Sequence, residues 1–428
     1  MGVKSVGQLY EPAFADNWIP TDLYSLASWV NGLAFRNIQF SNEGIPVIKI
    51  AEIKNGVLAQ TKFTQQIFDG SVHLQKGDML FSWSGNPDTS IDVFWFELCE
   101  GWLNQHIFKV TPSSRIDKVF LFYLLKYLKP NFAEIARNKQ TTGLGHVTIN
   151  DLKNLEVRIP IQSTQQAIAN CLSLFDSKIN LNHQMNKTLE AIGQAVLKRW
   201  FVDFEFPNEN GKPYKSSGGK MMDSALGEIP EGWTIGCFGD IAYNLRNVVS
   251  PGSVESETPY IGLEHMPRKS IALGDWGYAK DVDSNKFSFS QGNILFGKLR
   301  PYFHKVGVAP VDGVCSTDIL VIGTRQPEAY GLVLFHASSA EVVNYADMTS
   351  TGTKMPRANW NDLSQYKITI PPREIMETFT NIISPMVMMI IGNIHHSRTL
   401  GSMRDSLLPK LMLGRIRVPV EKEKVEAH

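Results

Sequence analysis

The stretch IQSTQQAIANCLSLFDSKINLNHQMNKTLEAIGQAVLKRWF, Ile161 to Phe201, returns in pattern as PREIMETFTNIISPMVMMIIGNIHHSRTLGSMRDSLLPKLML, Pro372 to Leu413. A shift of 211 residues lays one on the other without a gap, and each follows an apolar run ending in proline, VRIP at 157–160 and ITIP at 368–371. Ile168 then meets Phe379, Leu172 meets Ile383, Phe175 meets Met386 and Ile179 meets Ile390. Beyond the polar matches Asn182 with Asn393 and Asn186 with Ser397, Leu189 meets Leu400, Val196 meets Leu407 and Trp200 meets Leu411. Alternate steps of four and three residues leave one apolar seam along a helix, and a seam needs a partner. The simplest partner for each seam is the other. A helix of this length spans roughly 60 Å. Asn182 and Asn393 in the seam cost stability and fix register. Pro385 is expected to kink or split the second helix, because proline donates no backbone hydrogen bond.

The segments outside these helices repeat as well. GWTIGCFGDIA at 232–242 answers NWIPTDLYSLA at 17–27, and PYIGL at 259–263 answers the strand-like PVIKI at 46–50. QGNILFGKLR at 291–300 answers KGDMLFSWSG at 76–85, and GVCSTDILVI at 313–322 answers GWLNQHIFKV at 101–110, read as one strand. STGTKMPRANWNDL at 350–363 answers TTGLGHVTINDL at 141–152. Ordered matches at nearly constant offset mark an internal duplication. Short β-branched and aromatic runs between glycine and asparagine turns make each repeat an α+β module. The chain divides into a first module at 1–160, a central helix at 161–206, a loose polar linker at 207–231, a second module at 232–371, a C-terminal helix at 372–414 and a charged tail at 415–428. Antiparallel pairing of the helices as a coiled coil would relate the modules by a pseudo-two-fold axis.

Composition narrows the class. The chain has 428 residues, 43% hydrophobic and 20% charged, enough for two or three domains with proper cores. No apolar run reaches 18 residues and no leader pattern opens the chain, so no membrane is expected and the cytoplasm is the default. Four scattered cysteines, Cys99, Cys171, Cys237 and Cys315, suggest neither a zinc site nor a disulfide framework. Net charge is zero, yet Lys109–Lys139 holds seven basic residues against Asp117 and Glu134. The 285–310 segment is basic without an acid, and 350–373 carries four basic residues against Asp362. Local basic patches on a neutral chain suit a polyanion gripped at a few places. Glu52-Ile53-Lys54 lacks the partner aspartate of a nuclease, and His395-His396 lacks a third metal ligand. No phosphate loop or cofactor-binding glycine loop is present.

Two similar modules on a common spine can read two separate half-sites on a duplex, and the helices alone could span about 18 base pairs. In the second module Lys298, Arg300, Tyr302, His304 and Lys305 follow an apolar strand. Thr353, Lys354 and Arg357 lie in a glycine- and hydroxyl-rich loop that allows close approach to phosphate. The first-module counterparts are Trp83, Ser84, Asn86, Lys139, Thr141, Thr142 and His146. Asn104, Gln105 and His106 match Ser316, Thr317 and Asp318 before strands, where they can simply form turns. A duplicated scaffold binding protein or carbohydrate would also use a rod, and a fused nuclease-methyltransferase is disfavoured by its missing motifs.

The repeated helices, the IPEGW start at 229–233 and SLLPKLMLGRI at 406–416 make nearly the whole chain resemble the specificity subunit of type I restriction-modification enzymes. Asn17-Trp18-Ile19-Pro20 departs from the usual module opening. The resemblance implies two target recognition domains, each reading one half of a bipartite, asymmetric site on double-stranded DNA. It implies helices that act as a ruler and dock two modification (methyltransferase) subunits, with restriction/translocase subunits joining through the complex. Catalysis would then lie elsewhere: S-adenosylmethionine, ATP and magnesium are expected on partner chains, with no cofactor, metal or catalytic residue on this one.

Overall fold

A computed structural model describes residues 18–36, 39–139, 144–281, 283–352 and 354–419. It forms two compact units, one of 1–177 with 401–428 and one of 178–400, and each is taken by itself.

In the first unit, Ile19–Asp22 pairs antiparallel with Glu156–Ile159 and closes the module's ends together. One four-stranded antiparallel sheet runs in the order Ala27–Asn31, Ile107–Pro112, Met79–Ser82, Asp92–Trp95. A second carries Ile45–Ile48 parallel to Glu100–Leu103, flanked by Phe63–Thr64 and His73–Gln75. Expected as one strand, the 101–110 run is two, because His106 takes a left-handed φ of 77° and turns the chain between them. Helices Lys118–Tyr127 and Lys129–Asn138 cover the first sheet; Asp117 caps the former by accepting from the N–H groups of Val119 and Phe120.

The second unit repeats this plan. Thr234–Cys237 pairs with Lys367–Ile370. Ala242–Leu245, Ile319–Thr324, Ile294–Gly297 and Val306–Val308 form the four-stranded sheet. Pro259–Ile261 runs parallel to Gly313–Cys315 in the other sheet. Helices Tyr330–Ala337 and Ala340–Met348 stand where the first module has its pair. The duplication read from sequence is therefore a duplication of topology.

Both long helices are 40 residues, Gln162–Phe201 and Arg373–Met412. They pair antiparallel in each unit. In the second, Asn182 donates to Ser397 Oγ at 3.1 Å, Asn393 donates to Asn186 Oδ1 at 2.9 Å, and Trp200 packs on Phe379 at 5.8 Å. The two asparagine bonds are one bond repeated by the duplication. In the first unit Arg404 pairs with Asp176, which accepts from the Tyr123 hydroxyl at 2.6 Å. The seams are shared with the modules rather than spent on each other alone. Ile168 and Leu172 lie in the first module's core with Phe120 and Leu124, and Leu407 packs against it. Phe379, Ile383 and Ile390 are buried in the second module's core, with Leu189, Val196 and Met386 at its edge. Phe175, Ile179 and Leu400 are half-buried. Glu190 fastens the 270–272 segment by accepting from Ser270 Oγ and the Ile271 and Ala272 N–H groups; burial pushes its carboxyl up despite those bonds.

Two expectations are corrected. Pro385 does not split the C-terminal helix, which continues through it. Pro385 and Asn381, whose carbonyl loses its donor, both lie on the exposed side, where water can satisfy the group, while buried Ile383 and Val387 hold the neighbouring turns. The 207–231 segment is not loose either. Phe206 stacks on Tyr214 at 4.6 Å and on Trp233 at 5.1 Å, and Met221–Met222 pairs with Ile229–Pro230. A few aromatic anchors outweigh its polar composition.

Candidate nucleic-acid interface

In each module the chain leaves the third strand of the four-stranded sheet, in the order given above, at one corner. In the second module that strand is Ile294–Gly297, and Lys298 follows it. The Lys298 N–H donates to the Asp318 carbonyl at 2.9 Å, and its own carbonyl accepts from Ala358 N–H at 2.9 Å. Leu299 bridges to Arg357. In the first module the Trp83 N–H donates to the His106 carbonyl at 3.1 Å, and the Trp83 carbonyl accepts from Val147 N–H at 2.8 Å. Ser84 pairs with His146 across a short ladder. The backbone bonds are the same and the side chains are not.

The second-module corner is charged. Arg357 Nε lies 3.2 Å from Asp318 Oδ1. Lys298 sits within reach of Asp318, Arg357 and Arg246; burial, then the two guanidinium groups, hold its ammonium below the ordinary value against the pull of Asp318. The first-module corner is aromatic and neutral or weakly basic. Trp83 donates its indole N–H to Asn31 Oδ1 at 2.9 Å, stacks on Phe108 at 5.7 Å, and has His106 and His146 at 5.2 and 5.9 Å. Ser84 Oγ and His146 Nδ1 are 2.8 Å apart. Burial, with His146 second, pushes the His106 pKa down.

The remaining candidates spread around these corners. The Arg300 N–H donates to the Pro356 carbonyl at 2.7 Å, which ties its turn to the 350–358 loop, and its Nε is buried without a partner. Tyr302 is 52% exposed, and Lys354 is exposed. His304 Nε2 is bound to the Ser338 carbonyl at 2.9 Å, and Lys305 Nζ to the Leu263 carbonyl at 2.5 Å. Asn86 spends its side-chain oxygen on the Asp88 and Thr89 N–H groups, and Lys139 pairs with Asp151. Thr141, Thr142 and Thr353 lie outside the described residues. Sequence reasoning passed over Asn31 and Arg246, which complete the corners. The 215-residue step from Trp83 to Lys298 also carries Asn31 to Arg246, and that was the available signal.

Residues 17–191 match the family model of the type I restriction modification DNA specificity domain. Over that stretch the chain is similar to the specificity subunits of type I restriction enzymes. It is 26% identical over 335 residues to the MjaIX specificity subunit of Methanocaldococcus jannaschii, covering 74% of this chain and 73% of that one. It is 24% identical to the HindI specificity subunit of Haemophilus influenzae, covering 80% and 87%. The solved S subunit from M. genitalium shares the fold at a TM-score of 0.51 and 16% identity, over 92% of this chain and 96% of that one. Among the described residues of this chain, one helix, Arg373–Met412, is long and apolar enough to cross a membrane. Its Phe379, Ile383, Val387, Ile390 and Ile394 are buried in the second unit's core.

Proposed function

We propose that this chain is the specificity subunit, the non-catalytic, DNA-reading chain, of a cytoplasmic type I restriction-modification complex. Each module reads one half of a bipartite, asymmetric site on double-stranded DNA. Two modification subunits dock on the long helices, and restriction/translocase subunits join through them. S-adenosylmethionine, ATP and magnesium belong to those partner chains. The observation that carries the reading is the pair of matched corners. One backbone frame presents Asn31, Trp83, His106 and His146 in the first module and Arg246, Lys298, Asp318 and Arg357 in the second. A duplicated frame with diverged side chains is what two different half-sites require, since base edges are read by side chains and phosphates by charge. Exposed Lys354 beside the second corner supplies the phosphate contact.

The test is methylation mapping of genomic DNA from a host expressing this chain with its modification subunits. The expected result is modified adenine at one two-part motif with a fixed gap. Exchanging the second module should change one half of that motif and leave the other. A single continuous motif, or both halves changing together, would refute the reading.

A further inference from the structure

We propose that Arg357 is the guanine-reading side chain of the second module and that Asp318 is its positioning residue. The proposal rests on the DNA-reading function above and names what the second module reads. The Arg357 side chain is 53% exposed and that of Asp318 is 27% exposed. Asp318 Oδ1 lies 3.2 Å from Arg357 Nε, and Oδ2 lies 3.5 Å from a terminal guanidinium nitrogen. The backbone fixes Asp318 from both sides. Its N–H donates to Ser316 Oγ at 3.2 Å, and its carbonyl accepts from Lys298 N–H.

An arginine whose purpose is to grip phosphate gains nothing from a carboxylate against its guanidinium, because the acid cancels the attraction. An arginine that reads a base gains orientation. A carboxylate along the Nε edge leaves terminal N–H groups facing outward, and two such donors match the O6 and N7 acceptors of guanine. The contrast with Lys354, exposed and without an ion pair among the described residues, separates the two roles. In the first module His146 holds the place of Arg357 and His106 that of Asp318, so no such fork exists there. The fork therefore assigns a guanine requirement to the half-site read by the second module.

The test uses the complex with its modification subunits and duplexes randomised through the second half-site, alongside binding to random duplex DNA. Arg357→Lys should relax one position from guanine, losing roughly 10- to 100-fold in discrimination, with random-duplex binding retained. Asp318→Asn should relax that same position, while random-duplex affinity holds or rises because a negative charge has gone. Asp318→Glu should recover part of the preference, and unfolding midpoints of all three should match the parent chain. If Asp318→Asn relaxes a different position, Asp318 reads a base directly and the positioning role is wrong. Equal weakening on every sequence, with no position relaxed, would make the pair a phosphate or purely structural contact. A parent complex without salt-dependent duplex binding would overturn the DNA-reading function itself.

Discussion

The polar layer between the long helices offers the sharpest energetic test. Asn182 is fully buried and Ser397 is 8% exposed, and a 3.1 Å bond from Asn182 Nδ2 joins them. Asn182 Oδ1 is buried with no partner. Ser397→Ala removes only the hydroxyl oxygen, yet it strands the Asn182 amide nitrogen in the seam. The lost bond is worth roughly 0.5–1.5 kcal/mol and an unpaired buried donor costs roughly 1–3 kcal/mol. The single variant should therefore be less stable by about 1–3 kcal/mol. Adding Asn182→Val replaces the amide by an apolar group of similar shape, removing both the stranded donor and the acceptor that was unpaired from the start. The double variant should then exceed the parent by about 1–3 kcal/mol. A reversal of sign on adding a second substitution is the signature, read by urea unfolding followed by far-UV circular dichroism. A double variant less stable than Ser397→Ala, or a neutral Ser397→Ala, would show that the layer is already satisfied and the reasoning false.

Three further outcomes follow from particular contacts. Lys354→Ala should weaken binding of the complex to all duplexes alike and lower the slope of log affinity against log salt by about 1; an unchanged slope would remove Lys354 from the phosphate contacts. Phe379→Ala removes a fully buried ring packed on Trp200 and on Phe201 at 4.9 Å, and should cost about 3–5 kcal/mol in urea unfolding, with a loss under 1 kcal/mol arguing against that packing. Asp92 is opposed by burial, but Lys126 at 2.9 Å and Lys129 at 2.7 Å outweigh this and hold its carboxyl below the ordinary value. A depressed folded pKa gives stability that is present above the unfolded value and lost as pH falls through the folded one. Asp92→Asn should thus cost roughly 1–3 kcal/mol at neutral pH, and the difference from the parent should shrink below about pH 4; a pH-independent difference would mean that charge is not the cause.

The long helices were legible because their information is local and periodic: an apolar residue every three or four positions marks a helix face wherever it packs. The repeat was legible for a related reason, since two copies of one plan corroborate each other at a fixed offset. Pro385 misled in its expected split because a lost hydrogen bond is costly chiefly where the orphaned carbonyl is buried, and exposure is not a local property. The 207–231 segment misled because composition averages away Tyr214, whose stack on Phe206 orders the stretch. The corners were half legible. Trp83, Ser84, His146, Lys298 and Arg357 stood in suspicious loops, but Asn31 lies 52 positions from Trp83 and reaches it only through the pairing of strands. Asp318 looked like a turn residue before a strand, which it is, and its carboxylate on Arg357 appears only once the loop folds back.

This division between what is local and what is not has a functional consequence. The strands that carry the corners are buried, with Phe81 and Phe296 at 0% and 1% exposure, whereas Trp83, Lys298, Asp318 and Arg357 are partly or largely open to solvent. Changing a fully buried aromatic costs about 3–5 kcal/mol, a large share of a domain's stability, while an exposed change away from special contacts costs about 0.5 kcal/mol or less. The bonds that shape the corners run between main-chain groups: Lys298 to Asp318 and Ala358, Trp83 to His106 and Val147. They persist whatever the side chains are. The frame can therefore keep its geometry while the chemistry it presents drifts, from two imidazoles around an indole in one copy to a carboxylate-held guanidinium in the other. Under the proposed function, duplication supplies two readers, and the separation of main-chain shape from side-chain chemistry is what would let them come to read different sequences.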